Sequence, residues 1–361
     1  MRHSVPVILL LAACNRAHRE PAFQKMLLDP AFRSEGIALA DVNRDGLVDV
    51  LAGDVWYEAP SWTPHEIETP PTFSDVPNQF SDAFIVYAMD LNGDGWIDEI
   101  VFGFPGQAAV WRENPRGGAG HWAEHPLLPT VTSESPVAAP FGLVFGTGPS
   151  RISWFDLQTL TEHLIDDRTP VPVHGLGVGD LKGDGHLLEV ITHTGYWSVP
   201  QDPRSSPWPF TPVDLGPDAA QMYVLDVNGD GLPDVVASSA HEFGVWWYEQ
   251  KPGGTFVQHV IDASFSESHS LQLVDLNRDG LPDLVTGKRI WAHGLTGDPD
   301  PNGTRVLVWY ENRGRGEWVK HVLDDMSGVG TQFTIGPLRP DGLPAIAISN
   351  KSGVFLFEQK P

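Results

Sequence analysis

Short apolar segments recur along the chain in groups of four, and polar loops separate them at regular intervals. In one group, the apolar segment 222–225 precedes a polar loop and a second apolar segment, 235–238, follows it. The third segment, 245–249, is aromatic, whereas the fourth, 256–259, alternates between apolar and polar residues. Such segments predict β-strands, and no window shows a sustained helical period. Groups that begin every 46 to 49 residues are typical of the blades of a β-propeller.

The polar loop between the first and second strands of a group has a recurring nine-residue sequence. Four full copies begin at Asp41, Asp90, Asp226 and Asp275, with Asp or Asn at positions 1, 3, 5 and 9 and glycine at position 6. Calcium prefers six to eight oxygen ligands, and these side chains with a backbone carbonyl at position 7 supply most of them. Position 12 lacks the glutamate of an EF-hand and the flanks are strands, which indicates hairpin calcium sites. The alternative is a set of Asp/Asn/Gly turns without metal.

A fifth, looser copy begins at Asp180, where Lys182 replaces a ligand and the last acid falls one residue late, at Glu189. We therefore expect four or five structural Ca²⁺ ions. The predicted calcium ligands are Asp41, Asn43, Asp45, Leu47, Asp49, Asp90, Asn92, Asp94, Trp96, Asp98, Asp180, Asp184, Glu189, Asp226, Asn228, Asp230, Leu232, Asp234, Asp275, Asn277, Asp279, Leu281 and Asp283.

Two further copies complete the series. The 90 residues from Asp90 to Asp180 leave room for two groups, so a group without a loop is expected near 141–145. A worn copy at 337–345 begins 62 residues after Asp275, and an insertion at 294–304 accounts for the longer spacing. The count is therefore seven groups.

The two ends of the chain supply the last strand. Segment 23–29 is similar to a fourth strand with no group before it, and the last group ends after its third strand, at Glu358. Pairing them closes the ring and removes open sheet edges. We predict an all-β, seven-bladed β-propeller over residues 21–361, in which the N-terminal strand completes the last blade.

The repeats resemble the FG-GAP/VCBS repeats, the family that includes the propeller of integrin α chains, across residues 21–361. The resemblance implies a seven-bladed propeller with structural calcium between the first two strands of a blade. The chain is also similar in type, more weakly, to the propeller of the fungal aldos-2-ulose dehydratase, and it resembles related bacterial propellers in segments such as 268–275 and 286–289. This weaker resemblance implies that metal-assisted sugar chemistry is a candidate activity.

The histidines separate into two classes. His65, His125, His163, His259 and His321 recur on fourth strands, and this repetition indicates packing. Other polar residues are unique, and the strand order places them on the face of the propeller that carries the channel mouth. These candidate ligand-binding residues are His174, His193, His241, Glu242, His269, Lys288, Arg289, His293 and Lys351.

This second class allows several kinds of site. The group could bind a polar or anionic ligand, or hold Zn²⁺ or another divalent metal in the channel through its imidazoles. His174, His241 and His269 are the candidates for catalysis, since the dehydratase resemblance implies that a metal held by one of them would polarise a sugar carbonyl while a nearby base removes the α-proton. A histidine with a carboxylate could also move protons, because its pKa is near neutrality. The alternative is a scatter of polar loop residues without a site.

The net charge and the single cysteine limit the kinds of partner and the cellular location that we expect. The formal charge of −24 disfavours nucleic acid, whose binding depends on Lys and Arg. The single cysteine, Cys14, follows a short apolar start, as in a bacterial lipoprotein signal over residues 1–13 with a linker over 14–20. The alternatives are an ordinary cleaved signal peptide or a chance apolar start. We expect an exported monomer, lipidated at Cys14 and anchored in the bacterial envelope, at the outer membrane or its periplasmic face, with no other membrane contact.

Three functions fit this sequence. The first is a calcium-stabilised, envelope-anchored module that binds carbohydrate or protein. The second is a metal-assisted sugar dehydratase or lyase that uses the histidines of the channel face. The third is a structural scaffold. A propeller fold does not choose among them, because propellers support many functions.

Overall fold

The computed structural model describes residues 20–185 and 188–361. The predicted signal at 1–13, Cys14 and all of the 14–20 linker except Glu20 lie outside the described residues. Within them, the structure is all-β, with one short 3-10 turn at Val76–Asn78. No helix in that part of the chain is long and apolar enough to cross a membrane.

The described residues form seven four-stranded antiparallel sheets in a β-propeller arrangement, which confirms the predicted fold. The strands of the first four sheets in chain order are β2 (Ala38–Ala40), β3 (Asp49–Ala52), β4 (Val55–Glu58) and β5 (Thr63–Glu66); β6 (Ile85–Met89), β7 (Asp98–Phe102), β8 (Gln107–Glu113) and β9 (Ala123–Val131); β10 (Val137–Ala139), β11 (Gly142–Gly148), β12 (Arg151–Asp156) and β13 (Thr161–Asp166); β14 (Gly177–Gly179), β15 (Glu189–Thr192), β16 (Gly195–Ser198) and β17 (Phe210–Pro212). The strands of the other three are β18 (Tyr223–Leu225), β19 (Asp234–Ser238), β20 (Phe243–Lys251) and β21 (Thr255–Ser266); β22 (Leu271–Val274), β23 (Asp283–Gly287), β24 (Leu307–Asn312) and β25 (Trp318–Asp324); β26 (Phe333–Pro337), β27 (Pro344–Asn350), β28 (Gly353–Gln359) and β1 (Phe23–Asp29). Each sheet is called a blade below and is numbered in this order.

The N-terminal strand closes the ring, as predicted. Strand β1 pairs antiparallel with β28, and Phe23 lies opposite Gln359 in the register. The first strands of blades 1 and 7, β2 and β26, contact each other. The two ends of the chain therefore meet in a single sheet, and β28 is paired on both sides.

The core lies between the blades. Second strands such as β3, β7 and β19 are buried at every position, because a neighbouring blade covers each of their faces. This explains their continuous apolar sequences, whereas a strand with one wet face would alternate. Fourth strands such as β5 are mostly exposed, and they carry the alternating pattern.

The antiparallel order sorts the connections onto two faces. The loops between first and second strands, and the turns between third and fourth strands, lie on what we call the loop face. The turns between second and third strands, and the connections from blade to blade, lie on the opposite, channel face. The predicted calcium loops and the predicted channel residues therefore lie at opposite ends of the blades.

Candidate functional site

The four full loops on the loop face have one shared conformation. In blade 1, the amides of Asp45 and Gly46 donate to the Asp41 carboxylate at 3.1 and 3.0 Å. The equivalent bonds form to Asp90, Asp226 and Asp275. The glycines at position 6 have φ between 87° and 97°, a left-handed conformation that L side chains rarely adopt. The loops are folded around their first aspartate.

The acid at position 9 is buried in each full loop. Asp49 accepts the amides of Val42 and Ala59 at 2.9 and 2.8 Å. Burial and the neighbouring loop carboxylates raise the pKa of Asp49 to about 6. In the same way, the pKa of Asp234 rises to about 6 and that of Asp283 to about 7. The loops thus concentrate carboxylate charge around an all-oxygen set of donors, and this chemistry fits Ca²⁺.

The fourth-strand histidines pack as the sequence predicts. Each of the five rings stacks on a tryptophan of the third strand, with centroids 4.4 to 4.5 Å apart. In blade 5, for example, His259 stacks on Trp247 and its Nε2 lies 3.0 Å from Glu249 Oε2. These histidines belong to the outer wall of the blades.

On the channel face, three of the predicted histidines meet. His174 precedes β14, His241 follows β19 and His269 precedes β22, so three different connections supply them. One ring nitrogen from each lies within 4.8 Å of the others. The Nε2 atoms of His174 and His241 are 3.1 Å apart. We call these three residues the channel triad.

Carboxylates fix the orientation of two triad rings. His174 Nδ1 lies 2.9 Å from Asp218 Oδ2, and His241 Nδ1 lies 3.3 Å from Asp298 Oδ1. Because a carboxylate only accepts hydrogen bonds, Nδ1 of His174 carries a proton, and its Nε2 points toward His241. The two Nε2 atoms share a proton across 3.1 Å, and a metal ion that binds between them would displace this proton.

A fourth donor, Glu134, was not predicted from the sequence. Its Oε2 lies 2.9 Å from His269 Nε2 and 3.5 Å from His174 Nε2, and it accepts Arg289 Nη1 at 3.3 Å. Burial works against ionisation of Glu134, yet hydrogen bonds from His174 and His269 hold its pKa well below the usual value. One signal could have revealed it, because Glu134 lies three residues before β10, as His174 lies before β14.

The triad histidines differ in protonation. Burial works against the charged form of His174, but Asp218 and Glu134 raise its pKa to about 9. Burial and the nearby Arg289 lower the pKa of His269 to about 3, so its ring is neutral at pH 7. A neutral imidazole is a competent metal ligand, and metal binding at His174 would release a proton.

The residues in and around the channel triad differ widely in their exposure to solvent. The side chain of His269 is 0% exposed, whereas Asp218 is 49% exposed and His293 is 53% exposed. His193 Nδ1 lies 3.6 Å from Asp218 Oδ1, and His293 Nδ1 lies 2.9 Å from Asp298 Oδ1. The site is therefore closed at His269 and open on the side that carries Asp218 and His293.

The predicted cations are already engaged within the protein. Lys288 is buried and pairs with Glu267, and Arg289 is buried and donates to Glu35 at 3.0 Å. The Lys351 ammonium donates to the backbone carbonyls of Pro77 and Trp291. Glu242 is exposed. Lys288, Arg289 and Lys351 therefore hold connections together, and their charges do not point to a bound anion.

Comparisons with known proteins address the fold. A family model described as FG-GAP-like repeat matches residues 226–286. No curated protein matches the chain significantly. The chain is similar to the crystal structure of BBS1N in complex with ARL6DN soaked with mercury, with a TM-score of 0.57 at 12% identity over 95% of this chain and 98% of that chain. The same complex soaked with lead gives a TM-score of 0.57 at 12% identity over 94% and 97% of the two chains.

These likenesses define a class of protein. At 12% identity the solved structures share the fold alone, and 466 solved chains match, so the likeness singles out no function. The repeat match and the arrangement of the sheets support an FG-GAP type of propeller. A fold of this type supports a binding or structural module in general.

Proposed function

We propose that the channel face is a binding site built on a divalent transition metal, which His174, His241 and His269 hold. The observation that carries this proposal is the 3.1 Å approach of two Nε2 atoms whose opposite nitrogens face carboxylates. A metal ion between these atoms would displace the proton that they share and be coordinated by both rings. Glu134 Oε2, 2.9 Å from His269 Nε2, supplies a fourth donor.

The donor set favours zinc or a similar ion over calcium. Three imidazoles and one carboxylate suit borderline metals, whereas calcium requires mostly oxygen. Asp218 and Asp298 support His174 and His241 from behind, as carboxylates commonly support histidine ligands. A bound metal of this kind would polarise a carbonyl or hydroxyl oxygen of a ligand.

The ligand that best fits this site is a polyhydroxylated one, such as a carbohydrate. The open side carries Asp218 and His293, which offer acceptors and donors to hydroxyl groups. Lys288 and Arg289 form ion pairs with Glu267 and Glu35 inside the protein, so these two cations are not available to an anionic ligand. We therefore place carbohydrate ahead of a protein ligand.

A second candidate function is a metal-assisted dehydratase or lyase acting on sugars. It is favoured by the half-exposed Asp218, which lies 2.9 Å from His174 Nδ1 at the open side. This carboxylate could accept a proton from a bound ligand. Incubating the zinc-loaded protein with oxidised sugars and measuring the products by mass spectrometry separates the two functions. A product that has lost one water indicates a dehydratase, and unchanged sugar indicates a binding module.

Metal titration tests the proposal. Metal-free protein is titrated with Zn²⁺ by calorimetry, and elemental analysis gives the ion bound after purification. We expect one equivalent at the channel and a loss of affinity of about 100-fold or more in His174→Ala and His269→Ala. His259→Ala, on the outer wall, is the matched control and should bind as the native protein does. Equal zinc affinity in all four proteins would exclude the channel site.

The loop face has a separate, structural part in this proposal. We propose that the full loops at Asp41, Asp90, Asp226 and Asp275 hold Ca²⁺ and stabilise the propeller. The supporting observations are their shared fold and their buried position-9 acids. Removal of calcium with a chelator tests this part of the proposal through the melting temperature.

Export and anchoring complete the proposal. The support is Cys14, the single cysteine, which follows an apolar segment at the start of the chain. Labelling of expressed protein with a radioactive fatty acid should mark the native chain and leave Cys14→Ser unmarked. Label on both proteins, or on neither, would exclude lipidation at Cys14.

A further inference from the structure

In three of the four full loops, the asparagine at position 3 is held from outside the loop. Asn43 Nδ2 donates to Glu58 Oε1 at 3.1 Å, and the equivalent bonds in blades 2 and 5 measure 3.1 and 2.9 Å. Because a carboxylate accepts only, this bond turns the amide nitrogen outward and Oδ1 into the loop. Glu58 is held in turn by His65, whose Nε2 lies 2.7 Å from Glu58 Oε2. The outer wall therefore presents the asparagine oxygen to a cation.

The loop of blade 4 replaces every member of this arrangement. Lys182 occupies the place of the asparagine, and Ser198, which lies opposite Glu189 in the register, occupies the place of the glutamate. Tyr196 and Thr211, which lie opposite each other, replace the tryptophan and the histidine. The changes occur together in one blade, which indicates that the parts serve one purpose.

The ammonium group of Lys182 reaches the acid that ends its own loop. Lys182 Nζ lies 3.0 Å from Glu189 Oε1 and donates to Ser198 Oγ at 2.6 Å. Glu189 is buried, and its second oxygen accepts the Leu181 amide at 3.0 Å. In blade 1, both oxygens of the equivalent Asp49 accept backbone amides. A side-chain cation thus forms an ion pair with Glu189 at the place where a second backbone amide binds Asp49.

The degenerate loop of blade 7, at 337–345, also has a basic residue in place of the asparagine at position 3. Arg339 occupies position 3 there, with its Nη1 3.4 Å from Glu358 Oε2 and its Nε 3.5 Å from Asp341 Oδ2. Both loops that lack the full set of ligands therefore carry a basic residue at position 3, and it pairs with the acids that remain. A positive side chain at this position would repel a divalent cation in the loop.

From these contacts we infer that Lys182 is the built-in cation of the blade 4 loop and excludes calcium from it, so that the chain binds four Ca²⁺ ions. This inference rests on the proposed calcium sites of the other loops. It assigns Asp180, Asp184 and Glu189 to a loop closed by an internal ion pair. Lys182 is then the residue that decides whether this loop takes up metal.

Counting calcium in a gain-of-site variant tests the inference. Lys182→Asn removes the ammonium, and Lys182→Asn/Ser198→Glu also restores the outer carboxylate. Each full-length protein is stripped with a chelator, reloaded with calcium, and counted by native mass spectrometry and equilibrium dialysis. We expect four ions on the native protein and five on at least the double variant. Lys360→Asn removes an exposed lysine outside the loops and should keep four.

The number of bound calcium ions distinguishes the possible outcomes. Five ions on the native protein would show that Lys182 does not exclude calcium and would overturn the inference. Four ions on both Lys182 variants, with circular dichroism unchanged, would overturn it as well. No calcium on the native protein would instead refute the proposed calcium sites themselves. A fifth ion that appears only when Lys182 is replaced would support the inference.

Discussion

The two faces of the propeller present two different kinds of polar site. On the loop face, the same residues recur at the same positions in four blades, and each candidate site forms from nine consecutive residues. On the channel face, each residue occurs once, and His174, His241 and His269 come from separate connections. Repetition thus accompanies local structure, whereas the three unrepeated histidines come together only when blades 4, 5 and 6 pack side by side.

The two faces also differ in how strongly a bound cation would stabilise the fold. Each full loop gathers carboxylates into one hairpin next to a buried acid, so cations there would stabilise the blade that carries them. The channel triad instead gathers imidazoles whose ring nitrogens lie within 4.8 Å of one another, so a metal ion there would compete with protons and would contribute little to the fold. We therefore expect the loop face to determine stability and the channel face to determine ligand chemistry.

Removal of calcium should give the largest effect. Each occupied site contributes about 2.7 kcal/mol when calcium is at 100 times its dissociation constant. Loss of several sites should lower the melting temperature by roughly 10 °C or more, since about 1 kcal/mol corresponds to 2–4 °C in a domain of 150–250 residues. Differential scanning fluorimetry with a calcium-selective chelator measures the shift.

The comparison between faces supplies the control for this experiment. Zinc-selective chelation should move the melting temperature far less than calcium-selective chelation does. Restoring calcium should return the original melting temperature. An unchanged melt after complete removal of calcium, verified by elemental analysis, would contradict calcium stabilisation of the loops.

A buried acid on the channel face should give the next largest effect. Asp54 lies in the turn between β3 and β4, and burial raises its pKa to about 7 although Arg33 works in the opposite direction. The folded chain then binds a proton that the unfolded chain releases near pH 4, so stability falls as the pH rises from about 4 to about 7. Asp54→Asn should remove that fall and raise the free energy of unfolding at pH 8 by about 2 kcal/mol.

Urea unfolding at pH 5 and at pH 8 measures this change. The two proteins should differ little at pH 5 and most at pH 8. Asp325→Asn, an exposed position, is the matched control and should show no such dependence on pH. If Asp54→Asn has equal effects at both pH values, ionisation of Asp54 does not limit stability.

The sequence predicted the propeller and its closing strand because those features depend on local patterns. The loop spacing and the β1 segment each carry their signal within a few residues. The strand order predicted from the sequence also placed the triad histidines on the channel face. Glu134 was not predicted, since blade 3 has no loop to mark its first strand, and Asp218 and Asp298 were not predicted because a connection and an insertion have no repeat to align them. The burial of Lys288 and Arg289 depends on partners distant in sequence.

A smaller effect should separate packing from hydrogen bonding on the outer wall. His259 stacks on Trp247 and contacts Glu249, whereas His163 stacks on Trp154 and its Nε2 has no hydrogen-bond partner among the described residues. His259→Ala should lower the free energy of unfolding by about 1 kcal/mol, because it loses both a ring stack and a hydrogen bond.

His163→Ala is the matched comparison for the outer wall. It should lower the free energy of unfolding by about 0.5 kcal/mol, since only the ring stack is lost. Urea unfolding in saturating calcium gives both values. Equal losses in the two variants would show that the contact with Glu249 contributes nothing to stability.

The smallest effect on stability should come from the channel triad itself. His241 is partly exposed, and its Nε2 lies 3.1 Å from that of His174. His241→Ala removes a ring at the open side of the site together with its contact to His174, so little buried packing is lost. We expect the free energy of unfolding of metal-free protein to change by less than about 0.5 kcal/mol, whereas zinc affinity should fall by about 100-fold or more. A loss of several kcal/mol without metal would mean that His241 holds the fold together, and the contrast between a structural loop face and a chemical channel face would fail.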